Sequence, residues 1–208
     1  MLDFLRALLI KFDNKNQINI EFTNWIREGK PVPPPHAIKQ HVLRTFAKKY
    51  HLKILVETGT YYGQMVDALK DDFRSIYSIE LSQDLYDRAV EKFKAIKHIH
   101  LICGDSGVVL RNVLERVDQP ALFWLDGHYS AGDTARGKKD TPIQEELINI
   151  LNAPDLGHVI IIDDARCFGT FPAYPSVKEL TDFVLSKRPN LDISVQDDSI
   201  RIVPRRER

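Results

Sequence analysis

Residues 54–65 read ILVETGTYYGQM, and their reading decides the fold. The apolar run begins one residue earlier, at KILVE (53–57). It is continuous rather than alternating, as expected of a strand buried on both faces. It ends in Glu57 and passes into Thr58, Gly59, Thr60, Tyr61, Tyr62 and Gly63. Met65, Val66, Leu69 and Phe73 then recur at helical spacing. Strand, glycine turn and helix together make a ligand-holding corner. A dinucleotide turn would read G-x-G-x-x-G, with room for a pyrophosphate. Here only Gly59 stands early in the turn, and tyrosines fill positions a pyrophosphate needs clear. Nothing matches a phosphate-cradling P-loop either, so a ligand without phosphates fits this corner better.

Outward from that stretch the pattern repeats. SIYSIE (75–80), HIHLIC (98–103), ALFWLD (121–126) and HVIIID (158–163) read as strands. Helical patterns separate them, with Ser82 or Asp84 as one cap and TPIQ (141–144) and SVKE (176–179) as capping boxes. LDISV and SIRIV flank QDD and predict a closing antiparallel hairpin. Strands alternating with helices define an α/β fold. We therefore expect a doubly wound, Rossmann-like sheet of seven strands, mostly parallel with a C-terminal antiparallel hairpin and helices on both faces. Such sheets bind ligands beyond the carboxyl ends of their strands.

An acid stands at or just past each parallel strand end: Glu57, Glu80, Asp105, Asp126, and the pair Asp163 and Asp164. Carboxylates crowded together repel and lose hydration, so this edge calls for a compensating ligand or cation. The pattern E-x-G-x-Y-x-G at Glu57, Gly59, Tyr61 and Gly63, with acids on the following strands, resembles class I S-adenosylmethionine-dependent methyltransferases. Within them it is most similar to the catechol and sugar O-methyltransferases, over about residues 53–203. The resemblance implies that Glu57, Thr58, Gly59, Tyr61 and Gly63 lie against the methionine part of S-adenosylmethionine. It implies that Glu80 bonds the ribose hydroxyls beside Leu81, that Asp105 and Ser106 meet the adenine, and that Asp126 also borders the cofactor. A ribose diol needs a bidentate acceptor, and a carboxylate supplies one. The sulfonium is a cation, for which carboxylates and tyrosine faces are suitable partners.

The same resemblance implies a metal. FWLDGH and IIIDDAR are similar to two family motifs whose aspartates hold Mg²⁺ or another divalent cation, which points to Asp126, Asp163 and Asp164. Hard carboxylates suit that ion; capping of turns is the competing reading. His128 stands where the sugar O-methyltransferases carry an acidic base, and with Asp126 it is the expected catalytic pair. Tyr129, Arg136, Arg166 and His36 are candidate acceptor contacts, the basic ones for an anionic group. The acceptor implied is a small hydroxylated molecule, sugar-like or a hydroxy-acid. Metal-independent methylation of nitrogen, carboxylate or phosphate is the alternative, and a catalytically silent binding protein is another.

The remaining features set boundaries. The 29 basic and 29 acidic residues cancel, so no nucleic-acid footprint is expected. Cys103 and Cys167 form no disulfide or metal framework, consistent with a reducing, cytoplasmic setting. MLDFLRALLIKFD is too short to span a bilayer. Residues 1–50 read as a helical segment with a Pro-rich connector, GKPVPPPHAIK (29–39), serving as a lid or as the arm of a homodimer. Residues 51–208 form the expected methyltransferase domain.

Overall fold

In the computed structural model, which describes residues 20–127 and 141–205, the opening apolar run is strand β1 (Ile54–Thr58). All five of its residues are buried, because both faces of the sheet are covered. Parallel strands β2 (Ser75–Glu80) and β4 (Ala121–Leu125) flank it. β3 (Ile99–Cys103) extends the β2 side and β5 (Val159–Ile162) the β4 side, again in parallel. The antiparallel pair β6 (Leu191–Gln196) and β7 (Ser199–Pro204) completes the sheet, in the order β3-β2-β1-β4-β5-β7-β6. The hairpin turn is Asp197 and Asp198, both at positive φ (51° and 59°). That is the geometry of a tight two-residue hairpin, and aspartate tolerates it better than most residues do.

Alternation along each strand divides the core in two. On one face Leu55, Trp124 and Ile161 meet Leu43 and Ala47 of α2 (His36–Lys49), Met65, Val66 and Leu69 of α3 (Gln64–Leu69), and Phe93 of α4 (Gln83–Phe93). On the other, Val56, Phe123 and Ile160 meet α5 (Ser106–Leu114), α6 (Ile143–Asn152) and α7 (Val177–Lys187). The expected doubly wound α/β architecture is thus present. α2 supplies core residues, so the cover of the sheet begins at His36. Before it, residues 20–27 form helix α1, and Trp25 there is buried with Nε1 donating to the Pro31 carbonyl (2.9 Å).

Local signals act largely as read. Ser82 Oγ caps α4 by accepting the Leu85 N–H, and Ser176 with Glu179 forms a complete capping box on α7. Thr141 Oγ1 accepts the Ile143 N–H (3.3 Å), one residue earlier than a capping box places it. Strand order reverses between β1 and β4, which makes the crevice beyond their ends the expected ligand position.

Candidate active site

At the reversal point the turns after β1 and β4 interlock. The Asp126 N–H donates to the Thr58 carbonyl (3.1 Å), while Gly59 and Thr60 donate to the Ile79 carbonyl of β2 (2.9 and 3.2 Å). Gly59 has φ +85°, and a Cβ there would lie 2.5 Å from the Asp126 carbonyl oxygen. Its missing side chain therefore admits the backbone of β4. Gly63, at φ +66°, opens α3, and a Cβ there would lie 2.7 Å from the Phe93 ring. Both glycines of the motif are explained by packing within the protein. What the turn presents outward is aromatic. Tyr61 and Tyr62 are partly exposed, with ring centroids 4.1 Å apart.

Glu80 is buried, and both its oxygens are engaged. Oε2 accepts the Tyr61 N–H (2.8 Å) and Oε1 the Ser82 N–H (2.9 Å). It thereby ties the turn after β1 to the turn after β2. A carboxylate offers about four lone-pair sites, so acceptor capacity for a diol remains. Leu81, next in sequence, is exposed.

Glu57 is the acid expected against the sulfonium end of the cofactor. It is 1% exposed and takes a hydrogen bond from Ser78 Oγ, which lies 2.6 Å from Thr60 Oγ1. Its side chain points inward beneath the turn, because its strand position places it between Ser78 and Trp124 rather than at the edge. Burial, followed by the charges of Asp126 and Glu80 and offset by the Ser78 hydrogen bond, raises its carboxyl to about 8.

Asp105 and Ser106 open α5. Asp105 Oδ1 accepts the Gly107 N–H (2.9 Å) as an N-cap. Ser106 Oγ turns inward and donates to Glu146 Oε1 (2.5 Å). Glu146, not foreseen from the sequence, is fully buried, and burial raises its carboxyl to about 7 against the lowering hydrogen bond from Ser106. Its signal was available. Ile143, Glu146, Leu147 and Ile150 occupy one helical face, and an acid in an apolar register calls for a reason.

At the end of β5 the carboxylates have protein cations. Lys39 Nζ of α2 hydrogen-bonds Asp163 Oδ2 and lies 3.9 Å from Asp164 Oδ1. Burial opposes the Lys39 charge, but Asp163, Asp126 and Asp164 outweigh it and raise its pKa. Arg166 is bound to Asp164 (2.8 Å) and to Asp198, and its backbone N–H also donates to Asp198 (2.9 Å). Arg166 is therefore engaged in holding the loop, a use that competes with the expected contact to an acceptor. His36 opens α2 three residues before Lys39, with Nδ1 2.7 Å from Gln40 Nε2. His128, Tyr129 and Arg136 lie outside the described residues.

Beside Asp163 lies a small open recess, lined also by Gly127, Thr141, Glu146, Phe168 and Tyr174. Phe168 and Tyr174 meet edge to face at 5.1 Å. It adjoins the interlocked turns, so a molecule held there would lie next to anything bound against Gly59 and Asp126.

No family model and no curated protein matches the sequence. Solved structures do resemble it. The S-adenosylhomocysteine-bound methyltransferase PaMTH1 of Podospora anserina superposes with a TM-score of 0.57 at 17% identity, over 89% of this chain and 88% of its own. The O-methyltransferase TomG of Streptomyces achromogenes, involved in tomaymycin synthesis and solved with S-adenosylmethionine, gives 0.59 at 16% identity, over 91% and 89%. The 23S rRNA methyltransferase ErmE gives 0.51 at 16%, over 80% and 68%. The chain therefore has the fold of S-adenosylmethionine-dependent methyltransferases. Acceptors as different as those of TomG and ErmE show that this fold leaves the acceptor open.

Proposed function

We propose that this chain is an S-adenosylmethionine-dependent methyltransferase that methylates an oxygen of a small hydroxylated acceptor. The observation that carries the reading is the convergence at the switch point: the β1 turn locked to Asp126, and buried Glu80 with acceptor capacity to spare. Glu80 would hold the ribose diol, exposed Leu81 would cover the base, and the Tyr61 and Tyr62 rings would border the methionine end. Asp105 and Ser106 would frame the adenine side through the α5 N-terminus. When bound, S-adenosylmethionine supplies a methyl group on a sulfonium.

The recess beside Asp163 would border the acceptor, next to the cofactor position. The acceptor oxygen forms its bond to the methyl carbon as the carbon–sulfur bond breaks. Its proton passes to a base, the role we assign to His128. Holding both reactants in contact supplies much of the rate. A soluble, cytoplasmic setting belongs to the same reading. The balanced charge supports a small molecule over nucleic acid as the acceptor.

The donor set does not fit the divalent cation expected at Asp126, Asp163 and Asp164. Asp163 is already bonded to Lys39 and Asp164 to Arg166. Among the described residues no group of three His, Cys, Asp or Glu side chains is placed to hold a metal ion. No step of the proposed reaction is routed through a metal.

Isothermal titration with S-adenosylhomocysteine tests the proposal. Saturable binding is expected, and Glu80→Ala should weaken it at least about tenfold, since hydrogen bonds to a charged group contribute roughly 1.5–3 kcal/mol. Wild-type protein that binds none of it would refute the reading.

A further inference from the structure

The carboxylates after β5 are filled from an unexpected direction. Lys39 belongs to α2, an element that precedes the strand–helix alternation, and its side chain reaches the sheet edge with only 18% of its surface exposed. There its ammonium bonds Asp163 and stands 3.9 Å from Asp164, and it feels the charge of Asp126. Asp163 and Asp164 are themselves 4% and 6% exposed. A buried carboxylate without a counter-charge is strongly unfavourable, so some cation must stand here. A divalent ion would need the same oxygens and would meet the ammonium as a like charge.

We propose that Lys39 is the resident cation of this cluster, occupying the position of a divalent metal, and that it acts as a positioning residue for Asp163. Asp163 lines the recess, so Lys39 fixes one wall of it from outside. The ion pair replaces metal chelation of the acceptor by a carboxylate held ready to receive an acceptor hydroxyl. What the site does with that hydroxyl rests on the methyltransferase reading. The identity of the cation does not.

The test is Mn²⁺ titration of the full chain, followed by the electron paramagnetic resonance signal of the free ion. Wild-type protein is expected to show no saturable uptake at millimolar metal. Lys39→Met keeps the length of the side chain but removes the charge. It leaves Asp163 buried without its cation, so it should melt several degrees below wild type, with or without Mn²⁺, whereas Lys39→Arg should melt close to wild type. Lys39→Arg keeps the charge and should take up none, which keeps the proposal testable if Lys39→Met fails to fold. Stoichiometric Mn²⁺ on the wild-type chain would overturn the proposal, as would a Lys39→Met chain that melts with wild type. Titration with S-adenosylhomocysteine on the same samples separates the two readings, because its loss in wild type refutes the methyltransferase and leaves the metal result standing.

Discussion

Glu57→Gln isolates the inward-turned acid of the opening stretch. In the folded chain its carboxyl is raised from 4.5 to about 8, with burial as the first cause. Between those values the folded state holds a proton that the unfolded state has released. Wild-type stability must therefore fall as pH rises from 4.5 towards 8. Glutamine is nearly isosteric, still accepts from Ser78 Oγ, and does not titrate. The variant should match wild type closely near pH 4.5 and exceed it increasingly above. At roughly 1.4 kcal/mol per pH unit, the gap should widen by roughly 3–4 kcal/mol between pH 5 and pH 8. For a chain of this size that is on the order of 10 °C in melting temperature. Glu146 is raised by burial in the same direction, but it is present in both proteins and cancels in the difference. The assay is urea unfolding of both proteins at several pH values. A gap that stays flat from pH 5 to pH 8, or one that narrows, would show that Glu57 is not held protonated in the fold and would refute the reasoning.

Two further substitutions probe the frame around it. Gly59→Ala places a methyl group 2.5 Å from a backbone oxygen at φ +85°. Neither can yield cheaply, so it should destabilise by at least about 2 kcal/mol in urea unfolding, and a loss under about 1 kcal/mol would be inconsistent with the interlocked turns. Ser176→Ala removes the α7 cap. It should cost about 1 kcal/mol in stability and leave S-adenosylhomocysteine affinity unchanged by calorimetry.

The fold was legible because its signals are local and repeated. The central strands β1, β4 and β5 are apolar runs, and the capped helices carry Ser82, Asp105 or Ser176 in sequence. The topology followed from the alternation, since parallel neighbours need a crossover helix. The site was legible only as a set of positions. Glu80 was read as a ribose partner, and its oxygens are partly used by the backbone N–H groups of Tyr61 and Ser82, of which the bond to Tyr61, 19 residues away, is one that no spacing reveals. The space left by Gly59 and Gly63 serves Asp126 and Phe93, which are 67 and 30 residues away in sequence. Lys39 was missed because the basic residue that matters lies on a helix before the repeating pattern, in a segment where His36 drew attention.

The row of strand-end acids shows why residue type alone underdetermines a site. From sequence, six acids at one edge demanded an external cation or ligand. In the fold five of them are handled separately. Glu57 is buried and its carboxyl raised, while Glu80 and Asp105 accept backbone N–H groups. Asp163 is bonded to Lys39, and Asp164 to Arg166. A carboxylate surrounded by donors from its own chain needs no further counter-ion, so the crowding that suggested a metal is discharged before any metal arrives. What remains for a ligand is the spare capacity of Glu80 and the exposed Tyr61, Tyr62 and Leu81, which suit a neutral diol and a sulfonium better than they suit a metal ion.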